Sequence, residues 1–261
     1  MSDTAPPRDW HPEPFRKLVT LGESTTAGGW SSVRERSWPH VLAALISDFQ
    51  DEPVELVNTG IGANVISTRV PCYSYSGKPA ANERVQKHVI DHAPDLLVIS
   101  YGLNDARGGT PAEMFRSELT GVIEKVRAGC DPLIVLPGPY YMTDFGLGEH
   151  FQEGSHEVFQ TYNLVTEQVA QATNCLFSDV YNAYGGAAWM VHYDGVHAND
   201  LGHRLVAHTI FQTLAQTCSG LAIRTKRLER TGERWRDEST LMADYGYQGR
   251  RAMPLEIDDD A

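Results

Sequence analysis

The chain has few cysteines, no basic excess and no long apolar run. Four cysteines (Cys72, Cys130, Cys175 and Cys218) lie scattered over 261 residues. None stands in a CxxC pair, so the sequence offers neither a zinc ligand set nor a redox motif. The formal net charge is −12. A surface this acidic excludes general nucleic-acid binding, whose affinity comes from phosphate contacts, and no nucleic-acid partner is expected. No run is long enough to span a membrane, and no membrane partner is expected. The start, "MSDTAPPRDWHPEPFRK", lacks a basic segment followed by an apolar one, the pattern of a secretory signal. With scattered free thiols, this points to a reduced, cytoplasmic protein. Internal repeats and low-complexity linkers are also missing.

What remains is ordinary globular composition, 41% hydrophobic and 21% charged, in a length that suits one α/β domain with an appendage. β-Branched apolar runs recur at Lys17–Gly22, Val54–Thr59, Asp95–Ser100, Leu133–Pro137 and, more weakly, Cys175–Phe177. Helical patterns lie between them, at residues 38–49, 81–93, 111–129, 157–173 and 199–216. Strands that read as near-continuous apolar runs, alternating with helices, predict a parallel sheet covered on both faces, an α/β fold. The division expected is an arm over residues 1–14, a main domain over 15–218 and an extension over 219–261. In the extension, residues 224–236 hold six basic residues against two acidic ones. One solvated helix, a mobile acidic end and a possible homo-oligomer contact are read there.

In such folds ligands sit beyond the carboxyl ends of the strands. The residues there are Gly22-Glu23-Ser24, "NTGIGAN", "YGLNDARGG" and "PGPYYMTDFG", with "HYDGVHAND" before the last helix. Ser24 is the candidate nucleophile, and a serine needs an adjacent base. Among ten histidines, His197 stands out because Asp194 precedes it by three residues, a spacing that lets a carboxylate reach its ring. The plain alternative is that "DGVH" is a turn before the helix starting near Asn199. Gly60 and Asn104 are candidate oxyanion donors; each alone is also an ordinary turn glycine or cap asparagine.

Competing motifs fail on spacing. No Lys follows the glycines after Gly22 as a phosphate loop requires, and Val65 stands where a dinucleotide fingerprint needs its third Gly. His192, Asp194 and His197 could be drawn as a metal cluster, but no further ligand set accompanies them, so no metal is expected.

Four blocks in one order, Gly22-Glu23-Ser24, Gly60, Asn104 in "GLND" and Asp194-Gly195-Val196-His197, resemble the SGNH hydrolase superfamily, the GDSL-type esterases and lipases. The resemblance covers roughly residues 17–216. It implies a flavodoxin-like three-layer α/β/α sandwich with about five parallel strands, and ester hydrolysis without a cofactor. It assigns Ser24 as nucleophile, His197 as general base and then acid, and Asp194 as its orienter. The amides of Ser24 and Gly60 and the Asn104 side chain would form the oxyanion hole. Two departures stand out. Glu23 replaces the usual Asp, and "VPCYSYSGKPAAN", residues 70–82, looks like an insertion that shapes the substrate site or a subunit contact. His203 is read as a structural helix residue.

The candidate substrate rim holds Trp30, Tyr101, Tyr140, Tyr141, Trp189 and Tyr193, aromatics suited to sugar rings, of which Trp30, Tyr140, Tyr141 and Trp189 are the chosen contacts. Arg69 and Arg107 are read either as anion binders or as partners of the acidic surface. The expected substrate is a small-molecule ester with a short acyl group, acetyl foremost, on a carbohydrate or polyol. An acyltransferase on the same scaffold and a non-catalytic carbohydrate-binding protein are the alternatives.

Overall fold

A computed structural model describes residues 8–229. Of the described residues, those up to Arg224 form one compact unit, and a second begins at Thr225. Of the expected extension, residues 219–229 are described and end in a short helix, Ile223–Glu229, that carries Arg224, Lys226 and Arg227; the rest of the basic stretch, the acidic end and the expected subunit contact lie outside the described residues.

The core of the first unit is a five-stranded parallel sheet in the order β2-β1-β3-β4-β5. β1 is Lys17–Gly22, β2 Glu55–Asn58, β3 Leu96–Ser100, β4 Leu133–Pro137 and β5 Leu176–Ser178. The five apolar runs of the sequence become these five strands, with ends displaced by a residue or two. β3 is buried along its whole length and β1 beyond its first residue, as strands covered on both faces must be. β2 is only half-buried because it is the sheet edge.

Helix α2 (Trp38–Phe49) packs against α8 (Asp200–Thr217), while α3 (Ala81–His88), α5 (Ala112–Arg127) and α6 (His156–Ala172) pack together as a second layer. The fold is the three-layer α/β/α sandwich. Helix α2 covers residues 38–49 as its apolar spacing predicts, burying Trp38, Leu42 and Ile46. The pattern at residues 81–93 ends early. Helix α3 stops at His88, and a short 3-10 turn, Ile90–His92, follows. Pro94 bars Ala93 from a helical conformation, and the chain turns there into β3.

Short helical turns fall at strand ends and loops, among them α1 (Ser24–Ala27), α4 (Leu103–Arg107), α7 (Val180–Ala183) and a 3-10 turn at Pro71–Tyr75. They are too short to show periodicity in sequence. The chain leaves β1 first toward β2 and later returns beyond β1 to β3, so the strand order reverses between β1 and β3. Gly22 and Ser100, the last residues of those strands, are paired in register. This switch point is where an open α/β sheet leaves a crevice, and Ser24 and Asn104 lie just past it.

Candidate active site

Ser24 is the first residue of α1, directly beyond β1. Gly22 makes the sharp exit possible, since a Cβ there would meet the Ser100 carbonyl oxygen at 2.7 Å. Glu23 sits in extended backbone with its side chain fully buried. Its Oε1 accepts the Asn104 backbone N–H at 3.1 Å, so one carboxyl ties the Ser24 turn to the turn after β3. Burial and the neighbouring Asp105 carboxyl push Glu23 well above the ordinary carboxylate range. Asp105, also buried, is pushed up to about 7 while both its oxygens accept the Ile66 N–H.

His197 and Asp194 come from the loop before α8. Asp194 Oδ1 accepts the amides of Val196 and His197 at 2.9 and 3.0 Å, and its Oδ2 lies 2.6 Å from His197 Nδ1. The turn needs Gly195: its φ is +74°, and a Cβ would stand 2.3 Å from Asp194's neighbour across the loop, Asp144 Cβ. Thr143 and Asp144 donate their amides to the Gly195 carbonyl at 2.8 and 3.0 Å, pinning this loop to the segment after β4. Asn199 caps α8 through the amides of Leu201 and Gly202. The "DGVH" turn and the helix cap are therefore separate structures.

The two halves meet. Ser24 Oγ lies 2.8 Å from His197 Nε2, completing an unbroken Ser24–His197–Asp194 chain. Burial draws the His197 imidazole below its ordinary pKa, against the pull of Asp194. Burial raises Asp194, but bonds from the amides of His197 and Val196 and from the His197 ring outweigh it, leaving a lowered carboxylate. At neutral pH this is an uncharged imidazole beside an ionised carboxylate.

The other candidates divide. Asn104 is buried, its Nδ2 donating to the Asn64 carbonyl at 3.1 Å, which leaves a second N–H on that nitrogen. Gly60 is not placed as a hole donor. Its amide donates to Asn58 Oδ1 at 3.0 Å, and its Cα is packed on the Ala27 backbone, 2.1 Å from where a Cβ would be. Farther along the same loop, Ala63 holds a positive φ of 52°. Among the described residues, the amides of Gly62 and Ala63 have no acceptor within hydrogen-bond range. Residues 70–82 brace this loop: Gly77 donates to the Ala63 carbonyl, and Asn64 Nδ2 donates to the carbonyls of Gly77 and Pro79.

Of the rim aromatics, Tyr140 and Tyr101 are core residues. The Tyr140 hydroxyl is paired with Ser100 Oγ, and that of Tyr101 lies between Arg84 and Asn64. An aromatic with one polar atom can be buried once that atom is paired, and nothing in the local sequence separates this from a rim position. Tyr141 is half-buried in a stack with His156 and Tyr184. Trp189 and Tyr193 are exposed. Trp30 lines a surface groove of about 490 Å³ with Ser32, His192, Asp200 and Leu201, and stacks on His197. Arg69 pairs with Glu118, and Arg107 is buried, bonded to the Leu147 carbonyl and 3.4 Å from Asn104 Oδ1. His203 is fully buried between the Trp38 amide and the Gly29 carbonyl. No group of three His, Cys, Asp or Glu among the described residues is arranged to hold a metal ion. No described helix is long and apolar enough to cross a membrane.

Comparison with known proteins gives this geometry a family. Residues 20–205 match the GDSL-like lipase/acylhydrolase family. The chain belongs to that family, and its relatives place it among the carboxylic ester hydrolases. An arylesterase of Vibrio mimicus is 31% identical over 112 residues, 42% of this chain and 48% of that protein. An acetylxylan esterase of Geobacillus stearothermophilus is 22% identical over 218 residues, 76% of this chain and 93% of that protein. The fold is shared with a lipase/acylhydrolase from Enterococcus faecalis, at a TM-score of 0.61 and 23% identity over 77% of this chain and 96% of that one.

Proposed function

We propose that this chain hydrolyses short-chain esters, acetyl esters foremost, of a carbohydrate or polyol, with Ser24 as nucleophile, His197 as base and Asp194 as orienter. The observation that carries the reading is the continuous chain from Ser24 Oγ through both ring nitrogens of His197 to Asp194, at 2.8 and 2.6 Å. For His197 Nε2 to accept the serine proton, Nδ1 must carry the ring hydrogen and donate it to Asp194 Oδ2, which the short contact favours.

Ser24 Oγ attacks the ester carbonyl carbon while its proton passes to Nε2. The carbonyl oxygen becomes an oxyanion, and three sets of donors support it. The Ser24 amide opens a helical turn and has no intrahelical acceptor. Asn104 Nδ2 supplies its second N–H. We infer that the remaining donor comes from the Gly62–Ala63 amides, in place of Gly60. Collapse expels the alcohol, which takes the proton from His197, and leaves an acyl group on Ser24. Water, deprotonated by His197, releases the acid and restores the serine. No cofactor enters these steps.

The carbohydrate reading draws on the groove beside His197, where the indole of Trp30 and the apolar Leu201 lie among Ser32, Asn199 and Asp200. Exposed Trp189 and Tyr193 extend the aromatic surface nearby in sequence. The acetylxylan esterase relative agrees with it. A panel of p-nitrophenyl esters of increasing acyl length, run beside acetylated xylo-oligosaccharides on wild type and Ser24→Ala, tests the proposal. Turnover is expected for acetyl substrates in wild type alone. Turnover that survives in Ser24→Ala, or rises steadily toward long acyl chains, contradicts it.

A further inference from the structure

Trp30 was a candidate rim residue, but its indole lies flat on the His197 imidazole. The ring centroids are 4.0 Å apart and the planes 2° from parallel. The residue takes a φ of +67°, a left-handed conformation that a bulky side chain adopts only when its surroundings impose it. Those surroundings are specific. The Gly29 amide donates to the Ser24 carbonyl at 2.8 Å, and the Gly29 carbonyl faces His203 Nε2 at 3.1 Å. Ser32 donates through both its amide and hydroxyl to Asp200, at 2.8 and 2.7 Å. Arg36 adds a third bond to the same carboxylate at 2.7 Å. Residues 28–36 thus form a strap fastened to the first turn of α8, and Trp30 within it covers His197.

Building on the catalytic reading above, we propose that Trp30 is a positioning residue for His197. Its indole face fixes the imidazole plane with Nε2 toward Ser24, and stabilises the imidazolium that forms when the serine proton arrives.

The chemistry supports both parts. An imidazole held at Nδ1 by Asp194 and at Nε2 by Ser24 loses the second tie once the serine oxygen bonds to the ester carbon, and a parallel ring against its face keeps the plane fixed through that step. A cation over an indole face is attracted by the ring quadrupole, most strongly where water is excluded. The other charged groups acting on His197 are Asp194, which favours the imidazolium, and His192, Arg107 and His203, which oppose it. Trp30 adds stabilisation without adding a competing titratable group.

The test compares Trp30→Phe, which keeps an aromatic face, with Trp30→Leu, which keeps apolar cover without one. Both substitutions admit water similarly, so their difference reads the ring face. The imidazole nitrogens are followed by NMR in uniformly ¹⁵N-labelled protein, with the His197 signals assigned by their loss in His197→Gln. His197 is expected to titrate about 0.5 pH units lower in the Leu variant than in the Phe variant. With p-nitrophenyl acetate, kcat is expected to fall several-fold more in the Leu variant, at little-changed KM. Equal titration in the two variants, or an effect confined to KM, overturns the proposal. Asp200→Asn loosens the strap and leaves the indole present. A fall in kcat there, with the acid limb displaced as in the Leu variant, supports the proposal; wild-type kinetics there overturn it. The titration is independent of turnover, so the two readings fail separately. A Ser24→Ala variant that still turns over removes the catalytic reading, and with it the role given to Trp30. A dead Ser24→Ala with indistinguishable Phe and Leu variants removes only the latter.

Discussion

The Ser24 half and the His197 half of the proposed site are built in different ways. Ser24 and Asn104 stand two and four residues beyond the paired strand ends Gly22 and Ser100, and the buried Glu23 carboxyl ties their turns together. Their positions follow from the sheet. Asp194 and His197 lie on a loop before α8, and their positions follow from local bonds: the two amides capped by Asp194, the positive φ of Gly195, and the stack under Trp30. The sheet supplies a rigid platform for Ser24, and the loop brings an oriented imidazole to it. Function on such scaffolds concentrates in loops for this reason.

If that contrast is right, losses on the two sides take different forms. The largest is expected for Asp194→Asn, which loses the ionised orienter and permits the wrong His197 tautomer. A fall in kcat of roughly 10³–10⁴ is expected with the fold intact by circular dichroism, and a fall under tenfold contradicts its role. Next comes Asn104→Ala, expected to lower kcat by about 10²–10³ with KM little changed, if the amide acts only as oxyanion charge develops. Glu23→Gln keeps the size but weakens the tie to the Asn104 amide. Roughly a tenfold loss is expected there, relieved in Glu23→Asp if the shorter carboxylate still reaches.

The pH dependence is a smaller and graded effect. Burial holds His197 below 6.5, so the base stays unprotonated at neutral pH and kcat/KM falls only as the pH drops through that lowered value. A midpoint at or above 7 would mean that burial does not govern the ring. Smallest is Tyr140→Phe. Because the hydroxyl is buried against Ser100, its loss is expected to cost about 1 kcal/mol of stability in denaturant unfolding, with KM unchanged. A raised KM would return Tyr140 to the substrate rim.

The same contrast explains what could be read from the sequence. The sheet half was legible because apolar runs mark strands, and strand ends mark the crevice. Ser24 and Asn104 were found that way. Asp194 and His197 were legible because three residues on a loop are within reach of each other. The oxyanion loop was read at Gly60, whose amide is already paired with Asn58 Oδ1. Gly60 looked suited as a glycine just past β2, but its freedom is used to pack on Ala27. The positive φ lies at Ala63, where the residue type gives no sign of it. Tyr140 and Tyr141 are adjacent, yet one is core and the other is stacked at the margin, a distinction made by partners far along the chain. The strap was invisible for the same reason: Ser32 and Asp200 are 168 residues apart.

The most direct test of Ser24 as the activated nucleophile is covalent capture. Wild-type protein is incubated with a fluorophosphonate, and the adduct is mapped by peptide mass spectrometry. One adduct on Ser24 is expected, forming at a rate that falls steeply in His197→Gln. Labelling elsewhere with Ser24 unmodified, or equal labelling without His197, would contradict the account.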